Sequence, residues 1–349
     1  MSIKPYITKI GWDIGGAHIK YCAESESNNI IWYDIIDFDF WSEHDALDEI
    51  ITRVTDQFSN KNSQIKNYFT MSAEMCDCFE SRKQGVRYII DKIKKTKISS
   101  SVFTKDGFID VKKSNLLNTD DIGSYNWFAS ALYLSNYYDN AIAIDLGSTT
   151  CDFILLKDGK ILNQRLSDLS GIQNKELLYT GCSRTPLFSL MNNINYKNRA
   201  YSIIPENFST MADVYIILEK LCHKDIYSKS ADGLDYSVIN SYKRVSRSFG
   251  FDYDKSKKKL LNYLCNKLHE RQIHNINSNL LYLVDKYFSG LKFKVIGLGL
   301  GVNIISEMCI ANGYKFKNIN HILRTSINGG ESLSHLFPAF VLNRISDEI

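Results

Sequence analysis

Proline is scarce in this chain, four in 349 residues, and no uninterrupted apolar run approaches the roughly 18 residues of a membrane-spanning helix. A membrane partner is therefore not expected. The eight cysteines are scattered. Their single close pair, Cys76 and Cys78, is C-x-C rather than the C-x-x-C of zinc or redox sites, so reduced structural thiols are expected. There is no H-E-x-x-H and no serine-nucleophile elbow, which argues against a zinc hydrolase and a serine hydrolase. Charge of one sign is not in excess: the net charge is +3. The one dense basic run, Lys255 to Lys259 around Ser256, falls in a helical pattern as a solvated face, so nucleic acid is not an expected partner. The opening Met1-Ser2-Ile3-Lys4-Pro5-Tyr6 shows neither a secretory apolar core nor a small-residue cleavage site, and a cytoplasmic location is the expectation.

What is present is length enough for two domains, because single cores rarely grow past about 250–300 residues. Residues 8–13 read as a strand and 14–16 as a glycine turn, with further strands over 18–24 and 30–36. Ser42 is placed to cap a helix over 43–58. A buried strand over 68–73, a helix over 81–97, strands near 101–110 and a helix over 122–136 follow. Residues 140–145 are a second apolar strand ending in aspartate. The pattern then recurs: a turn at Gly147-Ser148, a strand over 150–157, a hairpin turn at 157–160 and its partner over 160–167. Strand, aspartate, glycine turn and strand thus repeat about 130 residues apart, the mark of two related lobes. The remainder reads as helices over 206–222, 237–249 and 255–287, a short strand over 293–296, a helix over 302–312 and a last helix over 331–343. The expected domains are 1–124, completed by the C-terminal helix 331–349, and 125–330 with a helical insertion over about 188–290.

The two hairpins carry the chemistry. A glycine turn lets successive backbone N–H groups face one anion, because no Cβ blocks the close approach of phosphate oxygens. Gly15 and Gly16 make one such cradle, and Gly147, Ser148, Thr149 and Thr150 the other. Asp13 and Asp145 repel phosphate directly and suit Mg²⁺, its waters or a proton instead. His18 and Lys20 lie on the strand leaving the first cradle, where Lys20 places a cation on the same face. Asp152 occupies the strand leaving the second. The loop Tyr179-Thr180-Gly181-Cys182-Ser183-Arg184 gathers hydroxyls, a glycine and an arginine suited to bidentate phosphate or carboxylate contact. Glu74 and Arg82 are further candidates to line the site. Gly297, Gly299 and Gly301 precede a helix without the long β-α-β context of a dinucleotide fingerprint, and read as a platform for a nucleotide's sugar and base or another ligand's apolar part.

At these motifs the sequence resembles the hydantoinase and oxoprolinase-like branch of the actin, hexokinase and heat-shock ATPase superfamily. More narrowly, it is similar to the tetrahydromethanopterin-linked one-carbon transfer pathway proteins. The resemblance runs through Gly11-Trp12-Asp13-Ile14-Gly15-Gly16-Ala17-His18-Ile19-Lys20, Thr70-Met71-Ser72-Ala73-Glu74, Asn126-Trp127, Ala143 to Asp152 and Tyr179 to Pro186. It continues at Ala212-Asp213-Val214-Tyr215 and Ala231-Asp232-Gly233. His18 and Cys151 depart from it, standing where a smaller polar residue is expected.

The resemblance implies an α/β fold of two ribonuclease-H-like lobes of the actin/sugar-kinase type with a central cleft. It also implies a methanofuran-type cofactor synthase. Such an enzyme joins a furanylmethyl diphosphate to the phenol oxygen of γ-glutamyltyramine or tyramine, forming an aryl ether and releasing pyrophosphate. Mg²⁺ is the expected cofactor, and ATP is not required on this reading. Asp145 or Asp152 is the expected base, with a small-molecule diphosphate and a phenolic amine as partners. The oligomeric state is left open, a homodimer included. Rival readings are an ATP-dependent small-molecule kinase or amidohydrolase, and a non-enzymatic, actin-like nucleotide-dependent interaction protein.

Overall fold

The structure, a computed structural model, describes residues 6–26, 30–59, 64–116, 119–322 and 333–347. The chain divides into two compact units. The first is Met1–Asp139 with Gly159–Ile161 and Asn320–Ile349; the second is Asn140–Asp158 with Leu162–Ile319.

The first unit opens with β1 (Ile7–Ile14), β2 (His18–Ser25) and β3 (Ile30–Asp37), then α1 (Phe40–Glu43), α2 (Leu47–Phe58), β4 (Lys66–Met71) and α3 (Arg82–Lys95). It continues with β5 (Ser100–Thr104), β6 (Gly107–Asp110) and α4 (Asn126–Ser135). Its sheet runs β3-β2-β1-β4-β5-β6. The first three strands are antiparallel neighbours, and β1, β4 and β5 are parallel. Trp12 is buried at the centre, stacked on Phe69 at 5.7 Å and donating its indole N–H to Asn67 at 3.0 Å, so its one polar atom is satisfied. Ser42 does not cap the helix expected over 43–58. It lies inside α1, and α2 begins only after a 3₁₀ turn over His44–Ala46. Ser81 does cap α3, accepting from Gln84 N–H.

The second unit holds β7 (Ala141–Leu146) and β8 (Cys151–Lys157); β9, the pair Lys160–Ile161 that follows in the chain, counts with the first unit. Then come α5 (Asp168–Gln173), β10 (Leu177–Leu178), the hairpin β11 (Asn193–Tyr196) and β12 (Arg199–Ser202), α6 (Met211–Ile217), α7 (Val238–Ser248) and α8 (Lys258–Leu283). It closes with β13 (Lys294–Leu298), α9 (Val302–Ala311) and β14 (Phe316–Asn318). The helix expected over 206–222 is thus short, and the stretch from 188 to 290 contains a hairpin as well as helices.

The second sheet runs β10-β8-β7-β13-β14. Position for position it repeats β3-β2-β1-β4-β5, antiparallel on one side of the central strand and parallel on the other. This is the ribonuclease-H-like pattern twice over, and the fold is α/β of the actin/sugar-kinase type. The partner strand expected over 160–167 is present only as the two residues of β9, Lys160–Ile161. Asn163 stands in for strand backbone against β8, its side-chain amide donating to Phe153 O at 2.7 Å and accepting from Leu155 N–H at 2.8 Å. The chain then leaves the sheet, and β10 takes the outer place.

After α10 (Ile319–Ile322), the chain ends in α11 (Phe337–Ile345), which packs on β1, β2, β4 and α4. Residues 331 and 332, where the last helix was expected to begin, lie outside the described residues. Because α4 packs on α11, it belongs to the first unit, and the division falls at Asp139/Asn140 rather than at 124/125. Gly11, part of the first motif, serves this packing: a Cβ there would lie 2.0 Å from Ala339 O.

Candidate functional site

In the first unit, β1 delivers Asp13 to the sheet end and β2 returns with His18 and Lys20. Gly15 N–H donates to His18 O at 2.9 Å, closing the turn. A Cβ on Gly16 would meet nothing within 4 Å, so no protein packing demands glycine there. The space is what an approaching phosphate needs. Asp13 pairs across the ladder with Lys20, whose Nζ sits 3.4 Å from Asp13 Oδ2. Asp13 is buried, and its Oδ1 has no hydrogen-bond partner among the described residues; neither has Thr70 Oγ1, on the neighbouring position of β4. A buried carboxylate oxygen is costly without a donor or cation, so this arrangement fits a metal ion or its water. His335, just before α11, has its imidazole pushed down to about 4 by burial and by the charge of Lys20. It is therefore neutral near pH 7. Nothing local in the sequence links it to the first cradle.

Glu74 lies two residues beyond Ser72, whose N–H donates to Ile14 O at 2.9 Å. It is fully buried, accepts from the Ser124 hydroxyl and lies 3.5 Å from Arg82 Nε. The carbonyl of Glu74 also fixes α3 closely, since a Cβ on Gly85 would come within 2.3 Å of it. Glu74 and Arg82, expected to line the site, form an ion pair that binds the Gly123-Ser124 turn to α3.

In the second unit the structure brings three sequence-distant segments onto one framework. The hairpin closes through Gly147 N–H to Thr150 O at 2.9 Å. Behind it, the 181–184 loop is tied on by Cys182 N–H to Gly147 O at 2.9 Å and Arg184 N–H to Ser148 O at 2.9 Å. Gly181 is required by this approach, a Cβ there falling 2.3 Å from Ser148 O. Thr180 and Gly181 are in turn held by Gln272 of α8, which donates to Thr180 Oγ1 at 2.8 Å and Gly181 O at 2.9 Å. On the other side, Gly301 N–H donates to Leu146 O at 2.8 Å. Gly299, at φ +78°, passes so near Asp145 that a Cβ would lie 2.2 Å from its Oδ1. Gly297 has a separate task, making room for Phe316. The glycine platform thus buttresses Asp145 and the hairpin.

The two candidate bases face each other: Asp145 on β7 is registered with Asp152 on β8. Their surroundings differ. Asp152 is committed on both oxygens, one to Arg165 and the other to the Thr150 hydroxyl at 3.1 Å. Arg165 is itself buried and also holds Asp168 at 3.0 Å. Burial pulls its pKa down, but Asp152 and Asp168 outweigh that and hold it above its ordinary value. Asp168 accepts from the Tyr179 hydroxyl. Arg184 is exposed, with its backbone fixed under Ser148. Cys151 and Cys182 are fully buried, and burial followed by nearby carboxylates raises both thiols. They are neutral packing groups. The departure at Cys151 is thereby absorbed into the core.

Arg165, Asp168 and Gln272 were not anticipated. The signal for Gln272 was present, because it falls on the stripe Leu264, Leu268, Ile276 and Leu280, all buried, where a polar side chain needs a partner. Asp213 and Asp232, both in matched motifs, hold the fully buried Arg244 at 2.8 Å each, a buried anchor joining α6 and α7.

Comparisons with known proteins agree with these motifs. Residues 67–249 match the hydantoinase/oxoprolinase family. The chain is 29% identical over 300 residues to the (4-{4-[2-(gamma-L-glutamylamino)ethyl]phenoxymethyl}furan-2-yl)methanamine synthase of Methanocaldococcus jannaschii, covering 85% of this chain and 87% of that protein. To the synthase of the same name from Methanococcus vannielii it is 33% identical over 209 residues, covering 59% of this chain and 90% of that protein. A solved structure of nucleotide-free acetone carboxylase resembles it at a TM-score of 0.50 and 10% identity, over 86% of this chain and 66% of that one; this is a likeness of fold.

Proposed function

We propose, from the premise that this chain belongs to the hydantoinase/oxoprolinase family, that it is the aryl-ether-forming enzyme its methanogen relatives are named for. The protein is an enzyme, and its substrates are small molecules. The phenol oxygen of γ-glutamyltyramine or tyramine attacks the methylene carbon of a (5-aminomethyl-furan-3-yl)methyl diphosphate. The new C–O bond forms as the bond to the diphosphate oxygen breaks; the phenol proton passes to a carboxylate and pyrophosphate leaves.

The observation that carries this reading is the framework of the second unit. There, backbone hydrogen bonds hold the hydroxyl-bearing Gly147–Thr150 hairpin, Asp145 and the base of Arg184 together. Ser148 and Thr149 donate to diphosphate oxygens, Thr150 belongs to the same hairpin with its hydroxyl proton given to Asp152, and Arg184 offers two N–H groups to an anion. In the first unit, Gly15, Gly16, His18 and Lys20 form a phosphate cradle of their own. Asp13 and Asp145 are each, at its own hairpin, the carboxylate suited to Mg²⁺. When bound, that ion supplies charge neutralisation for the leaving group. A phenol ionises near pH 10 in water, so proton removal as the bond forms lowers the barrier. We assign that base to Asp145, the carboxylate that the Gly299 backbone abuts at the hairpin. Thr180, Gly181, Gly299 and Gly301 shape the acceptor side of the same framework, and a cytoplasmic location belongs with this reading.

The test is direct. Purified protein given the furan diphosphate, a tyramine compound and Mg²⁺ releases pyrophosphate and forms the ether without ATP. Consumption of ATP in the absence of both substrates refutes the assignment in favour of a kinase or an actin-like nucleotide switch.

A further inference from the structure

Three side chains beside the Gly147 hairpin have no part in the reaction as written, namely Arg165, Asp168 and Tyr179. They form one connected chain. Thr150 donates to Asp152 at 3.1 Å, and the buried Arg165 forks between Asp152 and Asp168, the latter at 3.0 Å. Asp168 accepts on its remaining oxygen from the Tyr179 hydroxyl. One end is a hydroxyl of the diphosphate hairpin. The other is an aromatic ring left 57% exposed.

The fork is firmly seated. Arg165 is only 9% exposed, and α5 presses on its aliphatic stem, since a Cβ on Gly171 would lie 2.9 Å from Arg165 Cδ. The sheet fixes the spacing as well, because Leu178 pairs with Cys151, so Tyr179 leaves β10 beside the Thr150 end of β8. A buried ion pair that served packing alone would have no need to immobilise a ring at the surface. Large exposed apolar side chains flank Asp168 in sequence, Leu166 at 73% and Leu169 at 67%.

Resting on the proposed function, we infer that Arg165 and Asp168 are positioning residues that hold the Tyr179 ring as the platform on which the aromatic ring of the phenolic acceptor stacks, in fixed register with Thr150. Offset stacking on a ring that is already ordered orients the acceptor oxygen without ordering the platform on binding. The hydrogen bond also separates two like groups. Burial and then the charge of Asp168 raise the Tyr179 phenol, so it keeps its proton and does not compete with the acceptor for the alkyl donor.

Steady-state kinetics of Tyr179→Ala, Tyr179→Phe and Arg165→Met, reading pyrophosphate release, test the inference. Tyr179→Ala raises KM for the tyramine substrate at least tenfold and leaves KM for the furan diphosphate within twofold. Tyr179→Phe, which keeps the ring and loses the tie, raises it about threefold. Arg165→Met, where it folds, behaves like Tyr179→Ala. Unchanged acceptor KM in Tyr179→Ala, or equal rises for both substrates, overturns the platform. Calorimetric titration of tyramine onto wild type and Tyr179→Ala separates this failure from failure of the reaction. Wild type that makes no ether yet binds tyramine at least tenfold more tightly than the variant disproves only the reaction. Equal binding, or none to wild type, disproves the platform.

Discussion

Gly299 and Asp145 occupy adjacent strand ends so tightly that the α-carbon of one defines the carboxylate position of the other: at φ +78°, an added Cβ would stand 2.2 Å from Asp145 Oδ1. Only glycine meets both conditions, the left-handed backbone and the missing side chain.

Replacing Gly299 with alanine therefore displaces the carboxylate as well as straining the turn. Turnover is expected to fall at least a hundredfold, with a stability loss of about 1–3 kcal/mol from the backbone strain and overpacking. Paired kcat and thermal unfolding measurements check this. Full activity with only a lowered Tm would show that Asp145 has no chemical role.

Asp145 and Asp152 face each other across β7 and β8 but should respond oppositely to amidation. Asp145→Asn is expected to cost about 10²–10⁴ in turnover with little change in the unfolding midpoint. Asp152→Asn removes one of the two carboxylates on buried Arg165 and is expected to destabilise by about 2–4 kcal/mol. Denaturant titrations and pyrophosphate assays on both variants distinguish the roles, and the reverse pattern makes Asp152 the base.

A pH dependence resides far from the hairpins, in Glu24 on β2. Its Oε2 lies 3.4 Å from Arg344 Nε of α11. Burial raises its carboxyl from 4.5 to about 7, Arg344 opposing the rise. The folded state thus holds this proton more tightly than the unfolded chain. The associated stability is complete below about pH 4.5 and lost as pH rises to about 7. At about 1.4 kcal/mol per unit the change is on the order of 3 kcal/mol. Glu24→Gln should flatten the unfolding free energy across that window. A slope identical to wild type would exclude Glu24 as its source.

Gly11→Ala probes the docking of α11. The new methyl would meet Ala339 O, a backbone atom that yields only if the whole helix moves. A loss of about 3 kcal/mol is expected, lowering Tm on the order of 5–10 °C. An unshifted Tm would mean that the helix is free to slide.

The repeat of strand, aspartate, glycine turn and strand was legible because each part has a short-range signature: apolar alternation, then a residue free of Cβ. The third strand of the second sheet was not. Residues 160–167 continue an alternating pattern, yet Asn163 satisfies β8 through its side chain, and β10 is too short at Leu177–Leu178 to show a period. The same misassignment hid Arg165, whose partners Asp152 and Asp168 come together only once the chain has turned into α5. The partners of Glu74 were hidden for another reason. An acid after an apolar strand looks available in sequence, and its burial against Arg82 and Ser124 is decided by α3 and the 123–124 turn, distant along the chain.

The packing of α11 against β1 also sets an order of events during synthesis. The second unit is nearly continuous, from Asn140 to Ile319, whereas the first needs Asn320–Ile349 as well as its opening strands. On the ribosome, a chain emerging N-terminus first leaves Gly11 and the face of β1 uncovered until α11 appears, while the second unit already has its whole sequence. The unit translated first is therefore the one whose folding waits on residues that follow the whole of the other.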